Sequence, residues 1–167
     1  MYPIKISDWN FYRNRALDIG FNVAVLAIAA RLFPGGFDVA DDALQTYEDL
    51  LMQLNTHKRM IVYRGGSGQT ICGDREVNYA FRAWHDWCHW RGGFDFSLDG
   101  DRGACAMQEQ HLVSRYGTCE KTDGWRRILR AEILGQHEYF LSSGRFPINQ
   151  RAFAENYLAS GELQAAE

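Results

Sequence analysis

Along most of the chain, apolar residues return every three or four positions, the spacing of a helix with one buried face. Residues 22–33 are apolar nearly all round, which predicts a buried helix, and Pro34-Gly35-Gly36 stops it. From 41 to 54 the apolar positions Ala43, Leu44, Tyr47, Leu50, Leu51 and Leu54 keep a helical period. Asp41 and Asp42 suit the positive end of that helix's dipole. The pattern then changes. Arg59-Met60-Ile61-Val62-Tyr63 is strand-like, Gln69-Thr70-Ile71-Cys72 is its expected partner, and Arg64-Gly65-Gly66-Ser67-Gly68 is the expected turn of a small β-hairpin. Those glycines could instead cradle a phosphate, but no P-loop lysine follows and a plain turn is favoured. Asp74 is placed to N-cap a helix over 74–90, which Gly92-Gly93 ends. Ser97 caps another over 98–115, closed by Gly117. Thr122 or Asp123 starts a long one over 124–142, closed by Gly144, and Pro147 opens the last, to Ala159. Residues 7–19 read as a short polar-aromatic helix or a loop. The expected fold is mainly α: a single-domain helical bundle over residues 1–167, with a small β-hairpin near residues 59–72.

Composition narrows the class of protein. A length of 167 residues and a 46% hydrophobic fraction suit one domain with a real core. The net charge of -3 and a pI near 5.9 argue against a nucleic-acid-coating protein. Arg126, Arg127 and Arg130 leave room only for a local basic patch. Cys72, Cys88, Cys105 and Cys119 form no CxxC pair, so they read as reduced, mostly packed thiols of a cytoplasmic protein. No secretory leader is visible, and the longest apolar run, Val23 to Ala30, is too short to span a bilayer.

Candidate chemistry sits in Arg82-Ala83-Trp84-His85-Asp86-Trp87-Cys88-His89-Trp90. Two imidazoles at i and i+4 share one helical face, a common start for a metal site. Val77, Phe81, Trp84 and Cys88 form the apolar side of that helix; Asn78, Arg82, His85 and His89 form a separate polar stripe. The bland alternative is a solvated face, although such faces usually carry Lys and Glu. In the 124–142 helix, Glu132 lies at the centre of the stripe Trp125, Leu129, Gln136, Tyr139 and Phe140. A buried carboxylate there needs a partner. A metal ion would serve, and so would an ion pair with Arg82; Gln136 could orient it. Asp101 and Gln108 share a face of the 98–115 helix, and Asp101 could simply complement the helix dipole. Glu109 and His111 read as surface residues, His137 points about 100° away from Gln136, and His57 reads as a loop residue. The assembled metal set is His85, His89 and Glu132, with Asp101 as a weaker fourth ligand. Such a set suits zinc, manganese or iron.

The string His85-Asp86-Trp87-Cys88-His89, followed by Phe94-Asp95-Phe96-Ser97-Leu98-Asp99-Gly100-Asp101, resembles the HD-domain metal-dependent phosphohydrolases. That resemblance implies a helical fold and a divalent metal, with the doublet at His85-Asp86, an upstream histidine that could only be His57, and a later acid at Glu132. The wider pattern RxxHDxxH, DFS, AEIxGQ and GxFPxxQ, the last seen as Gly144-Arg145-Phe146-Pro147-Ile148-Asn149-Gln150, is similar to proteins encoded by bacteriophages and phage-like environmental DNA. It implies that His85, Asp86, His89, Glu132 and Gln136 act as a set, and a host-cytoplasmic location.

The chemistry expected is metal-dependent hydrolysis of a small phosphoester or nucleotide. His85, His89, Glu132 and Asp101 would hold the ion. Asp86 would orient or deprotonate a bound water, and Arg82 would neutralise a substrate phosphate. Trp84, Trp87 and Trp90 could stack on a base, though rings so placed are more often core. The alternatives are a non-haem iron redox centre on the same ligands and a non-enzymatic phage accessory or structural protein with a buried polar network. A di-iron bundle is disfavoured, because it needs Glu-x-x-His motifs.

Overall fold

Asp18 begins the first helix: its side chain accepts from the Phe21 backbone N–H at 2.9 Å, and α1 runs Ile19–Leu32. A computed structural model describes residues 16–160, so most of the expected 7–19 element lies outside the described residues. The helix is one-sided rather than buried all round. Phe21, Ala24, Val25, Ile28 and Ala29 face the core, while Val23 and Leu26 remain exposed.

The expected hairpin does not form. β1 (Asp38–Ala40) and β2 (Ile61–Tyr63) make a parallel pair, with Val39 opposite Val62. Parallel strands need a crossover, and α2 (Tyr47–His57) supplies it. The 69–72 segment is diverted to α1. Leu17 N–H donates to the Ile71 carbonyl at 2.8 Å, and the Asn22 amide donates to the Cys72 carbonyl at 2.8 Å. With those groups satisfied, the segment is not the partner of β2. The α2 helix also starts later than its apolar period suggests. A reciprocal capping box between Thr46 and Asp49 sets its start, and Asp41 and Asp42 lie ahead of it.

The next two helices begin where their caps predict. α3 (Arg75–Gly92) starts at Asp74, whose carboxylate accepts from Glu76 and Val77, and it ends at Gly93 in the left-handed region. α4 (Leu98–Tyr116) starts at Ser97 and ends at Gly117. The predicted long helix over 124–142 is interrupted. α5 (Glu120–Arg130) begins after Cys119, ahead of Thr122 and Asp123. A π-helical turn, Ala131–Gly135, follows before α6 (Gln136–Ser143), which Gly144 ends. α7 (Gln150–Ser160) starts after Pro147, with Asn149 accepting from Ala152 N–H at 2.9 Å. It packs against the π turn so closely that a Cβ on Gly135 would sit 2.8 Å from the Tyr157 ring.

The result is mainly α-helical with one small sheet. Phe21, Val25, Ile71, Trp84, Leu112 and Leu129 lie in the main core, built from α1, α3, α4 and α5. Leu50, Met60, Val62, Tyr79 and Ala83 form a second cluster under the sheet. Cys72, Cys88, Cys105 and Cys119 are free thiols, and all but Cys119 are buried. No helix among the described residues is long and apolar enough to cross a membrane.

Candidate metal centre

The polar stripe of α3 faces inward. Asn78 and His89 are buried, and Arg82 and His85 are half-buried. A solvated face is therefore excluded. Asn78 donates to the Ser67 hydroxyl at 2.9 Å, which in turn donates to the Arg64 carbonyl. The i,i+4 spacing places the His85 and His89 rings edge to face, with centroids 4.5 Å apart.

The turn after α3 brings α4 back across these rings. Phe94 N–H bonds the His89 carbonyl at 3.0 Å, and Ser97 then caps α4, which puts Asp101 in its first turn. A Cβ on Gly100 would lie 1.8 Å from the Asp95 carbonyl oxygen, so only glycine allows this approach. Asp101 Oδ1 lies 3.0 Å from His89 Nε2 and 3.4 Å from His85 Nε2, and the two Nε2 atoms are 3.0 Å apart.

The other ring nitrogens decide what those atoms are. His89 Nδ1 lies 3.0 Å from the Phe94 carbonyl oxygen, which can only accept. Nδ1 therefore carries the hydrogen, and a neutral His89 presents a lone pair at Nε2. His85 Nδ1 lies 2.9 Å from Gln108 Oε1, and the same reasoning applies. Two imidazole lone pairs and one carboxylate oxygen thus converge. Three acceptors at this spacing repel one another unless a cation or proton lies between them. Separations of 3.0 to 3.4 Å fit donors at about 2 Å from one ion, where a tetrahedral edge is about 3.3 Å. The group His85, His89 and Asp101 could hold a metal ion.

Without a cation, a proton can take its place between these atoms, and the charges favour it. Burial opposes a charged His85 ring, yet the Asp101 bond and charge, with Asp86 behind them, raise its pKa. Burial also opposes an ionised Asp101, but with a proton on an Nε2 atom the bonds and charge from His85 and His89 outweigh it and hold this carboxyl far below the usual range. Its second oxygen, Oδ2, accepts from His137 Nδ1 at 2.5 Å. His85 also opens onto a cleft of about 350 Å³ that Tyr63, Arg82, Asp86, Phe96 and Phe146 help to line. His89 lies behind it, 1% exposed.

The expected residues divide accordingly. His85, His89 and Asp101 come together, so Asp101 rather than Glu132 is the carboxylate beside the two rings. Glu132 is outside that group; its carboxylate accepts from Gln136 Nε2 at 2.7 Å. Burial pushes Glu132 up to about 8, with Arg82 and Gln136 partly offsetting it. Asp86 lines the cleft beside His85 without joining the three donors, and burial raises its pKa as well. Arg82 is not free to clamp a phosphate. Its Nη1 donates to the Tyr63 and Gly65 carbonyls at 2.6 and 2.5 Å, which clasps the loop once expected to be a hairpin turn. His57 is an exposed residue at the end of α2.

Four residues read too lightly are engaged. His137 holds Asp101, and Gln108 holds His85. Glu109 is not a surface residue: it is half-buried and pairs with Arg126 and Arg130, which ties α4 to α5. His111 is half-buried too and accepts from the Trp84 indole at 2.9 Å. His137 does point away from Gln136, but the π turn inserts a residue ahead of both, and His137 is the one that meets Asp101. No protein-family model, curated protein or solved structure matches this chain.

Proposed function

We propose that the protein is a metal-dependent hydrolase acting on a small phosphoester or nucleotide. The observation that carries this reading is the convergence of His85 Nε2, His89 Nε2 and Asp101 Oδ1 beside a cleft that His85 lines. A divalent ion held there, zinc or manganese by this reading, would lower the pKa of a bound water toward neutrality. The chain's own groups do the rest. Phe94 and Gln108 fix the tautomers that leave both Nε2 atoms unprotonated. His137 steadies the carboxylate, as outer hydrogen bonds do at metal sites. Asp86 takes the proton from the attacking water. The new phosphorus–oxygen bond forms as the ester bond breaks, and the alkoxide leaves with the proton that Asp86 took up.

One other reading has a specific observation behind it. Two imidazoles and one carboxylate with an open side also describe a non-haem iron centre, and the replacement of Glu132 by Asp101 leaves that donor count intact. Elemental analysis of protein purified without chelator separates the two. Zinc or manganese, with hydrolysis of bis(4-nitrophenyl) phosphate that is lost in Asp101→Asn, supports the hydrolase. Iron with oxygen uptake supports the redox centre. A metal-free protein that takes up none of these ions removes both and leaves a buried polar network.

A further inference from the structure

Beside Trp84 and Trp87 of α3, a second pocket of about 270 Å³ lies between the last turns of α1 and α4. Ile28 and Leu32 form its apolar wall, and Arg31, His111, Ser114 and Arg115 supply its polar groups. None of these lining residues is acidic. We propose that this pocket binds a phosphate group carried by a small molecule.

The His111 ring is built into place. Trp84 stacks on it with centroids 6.2 Å apart and planes 19° from parallel, and Trp87 packs against it at 5.6 Å. The Trp84 indole can only donate, so His111 Nδ1 accepts. In the neutral ring the hydrogen then belongs to Nε2, and that is the nitrogen left for a ligand. Burial, with the Arg31 charge adding to it, lowers the pKa of His111, which keeps the ring neutral near pH 7 and this tautomer dominant. Arg115 uses Nε on the Tyr116 hydroxyl at 3.2 Å, which orients its guanidinium and leaves the terminal nitrogens for other partners. Two guanidiniums, an imidazole N–H and a hydroxyl therefore meet at one pocket.

The obvious counterweight is the helix dipole, because basic residues in last turns ordinarily complement it. Two helix C-termini contribute about −0.5 each against two full positive charges, so a net charge of about +1 remains. A phosphate group, with nearly two negative charges and three acceptor oxygens, matches this donor set better than a carboxylate. The apolar wall would rest against the body of a phosphomonoester.

The buried Trp84 indole is a built-in reporter, since it bonds the imidazole that would touch the ligand. Its N–H resonance in 15N-labelled protein is followed while inorganic phosphate or phenyl phosphate replaces chloride at constant ionic strength. The expected result is a saturable shift, with phenyl phosphate tighter than inorganic phosphate. Arg31→Gln with Arg115→Gln weakens both by about tenfold or more, and the corresponding Lys pair restores part of the loss. Both arginines are exposed, so the variants keep their fold. No saturable shift, or the same affinity in the double Gln variant, overturns the proposal. The second outcome would place the phosphate at the metal centre instead.

Discussion

Replacing His89 with alanine separates what the ring does for the fold from what it does for a cation. In protein stripped with EDTA, an ion at one hundred times its Kd stabilises the native state by about 2.7 kcal/mol. For a chain of this size each kcal/mol raises Tm by roughly 2–4 °C, so zinc, manganese or ferrous iron should raise it by about 5–11 °C. His89→Ala removes a ring that is 1% exposed and leaves the Phe94 carbonyl without its donor. The lost hydrogen bond alone costs about 1–3 kcal/mol, and the cavity adds to it. The stripped variant should therefore melt lower than stripped wild type, and added metal should no longer raise its Tm. Asp101→Asn sharpens the contrast, because it keeps the side chain's shape and removes only its charge. Its metal increment should vanish with a smaller drop in the stripped protein. Calorimetry of both variants and wild type, with and without each ion, is the assay. A metal increment in His89→Ala equal to that of wild type would refute the convergence argument, and so would its absence from wild type with all three ions.

Three further outcomes follow from the same geometry. The His85 pKa is raised above its ordinary 6.5, so its contribution to metal-free stability is complete below about pH 6.5 and fades as pH climbs through the folded value. Metal affinity runs the other way, because ligation releases protons; Tm against pH should fall without metal while the metal increment grows. Glu132, near 4.5 when unfolded and pushed up to about 8 by burial, makes stability fall between those values as pH rises. Glu132→Gln should match wild type at pH 4 to 5 and exceed it at pH 8 or above by on the order of a few kcal/mol, read by urea melts at both ends. Gly100→Ala drives a methyl group into the Asp95 carbonyl; it should cost about 1–3 kcal/mol and weaken metal binding through Asp101, whereas Gly124→Ala, in open space on α5, should not destabilise.

Much of this molecule was legible because it depends on local chemistry. Asp74, Ser97, Gly93, Gly117 and Gly144 cap the helices they were expected to cap, since a cap needs only a side chain and a turn of backbone. The His85–His89 pair was legible for the same reason: the i,i+4 spacing alone brings the rings together. The parallel pair of Asp38–Ala40 with Ile61–Tyr63 was not, because pairing across twenty residues depends on where α1 draws the 69–72 segment. Thr46 and Asp49 form a capping box three residues apart, which starts that helix later than its apolar period alone implies.

The acidic donor shows how one local irregularity redirects a site. A straight helix over 124–142 turns Glu132 toward the core centre and His137 away from Gln136. The π turn at Ala131–Gly135 breaks that phase, and no composition cue marks it beyond Gly135, where α7 packs too closely for a side chain. Past the turn, His137 meets Asp101, while Gln136 bonds Glu132 four residues back, as their spacing led one to expect. Asp101 is thereby held by an imidazole on its far oxygen and kept ionised, while Glu132 is left largely neutral, bonded to its own helix. The two carboxylates exchange the roles that periodicity assigned them. Removing one residue between Ala131 and Gly135 should restore helical phase and turn His137 off Asp101, read as a smaller rise in Tm on adding metal.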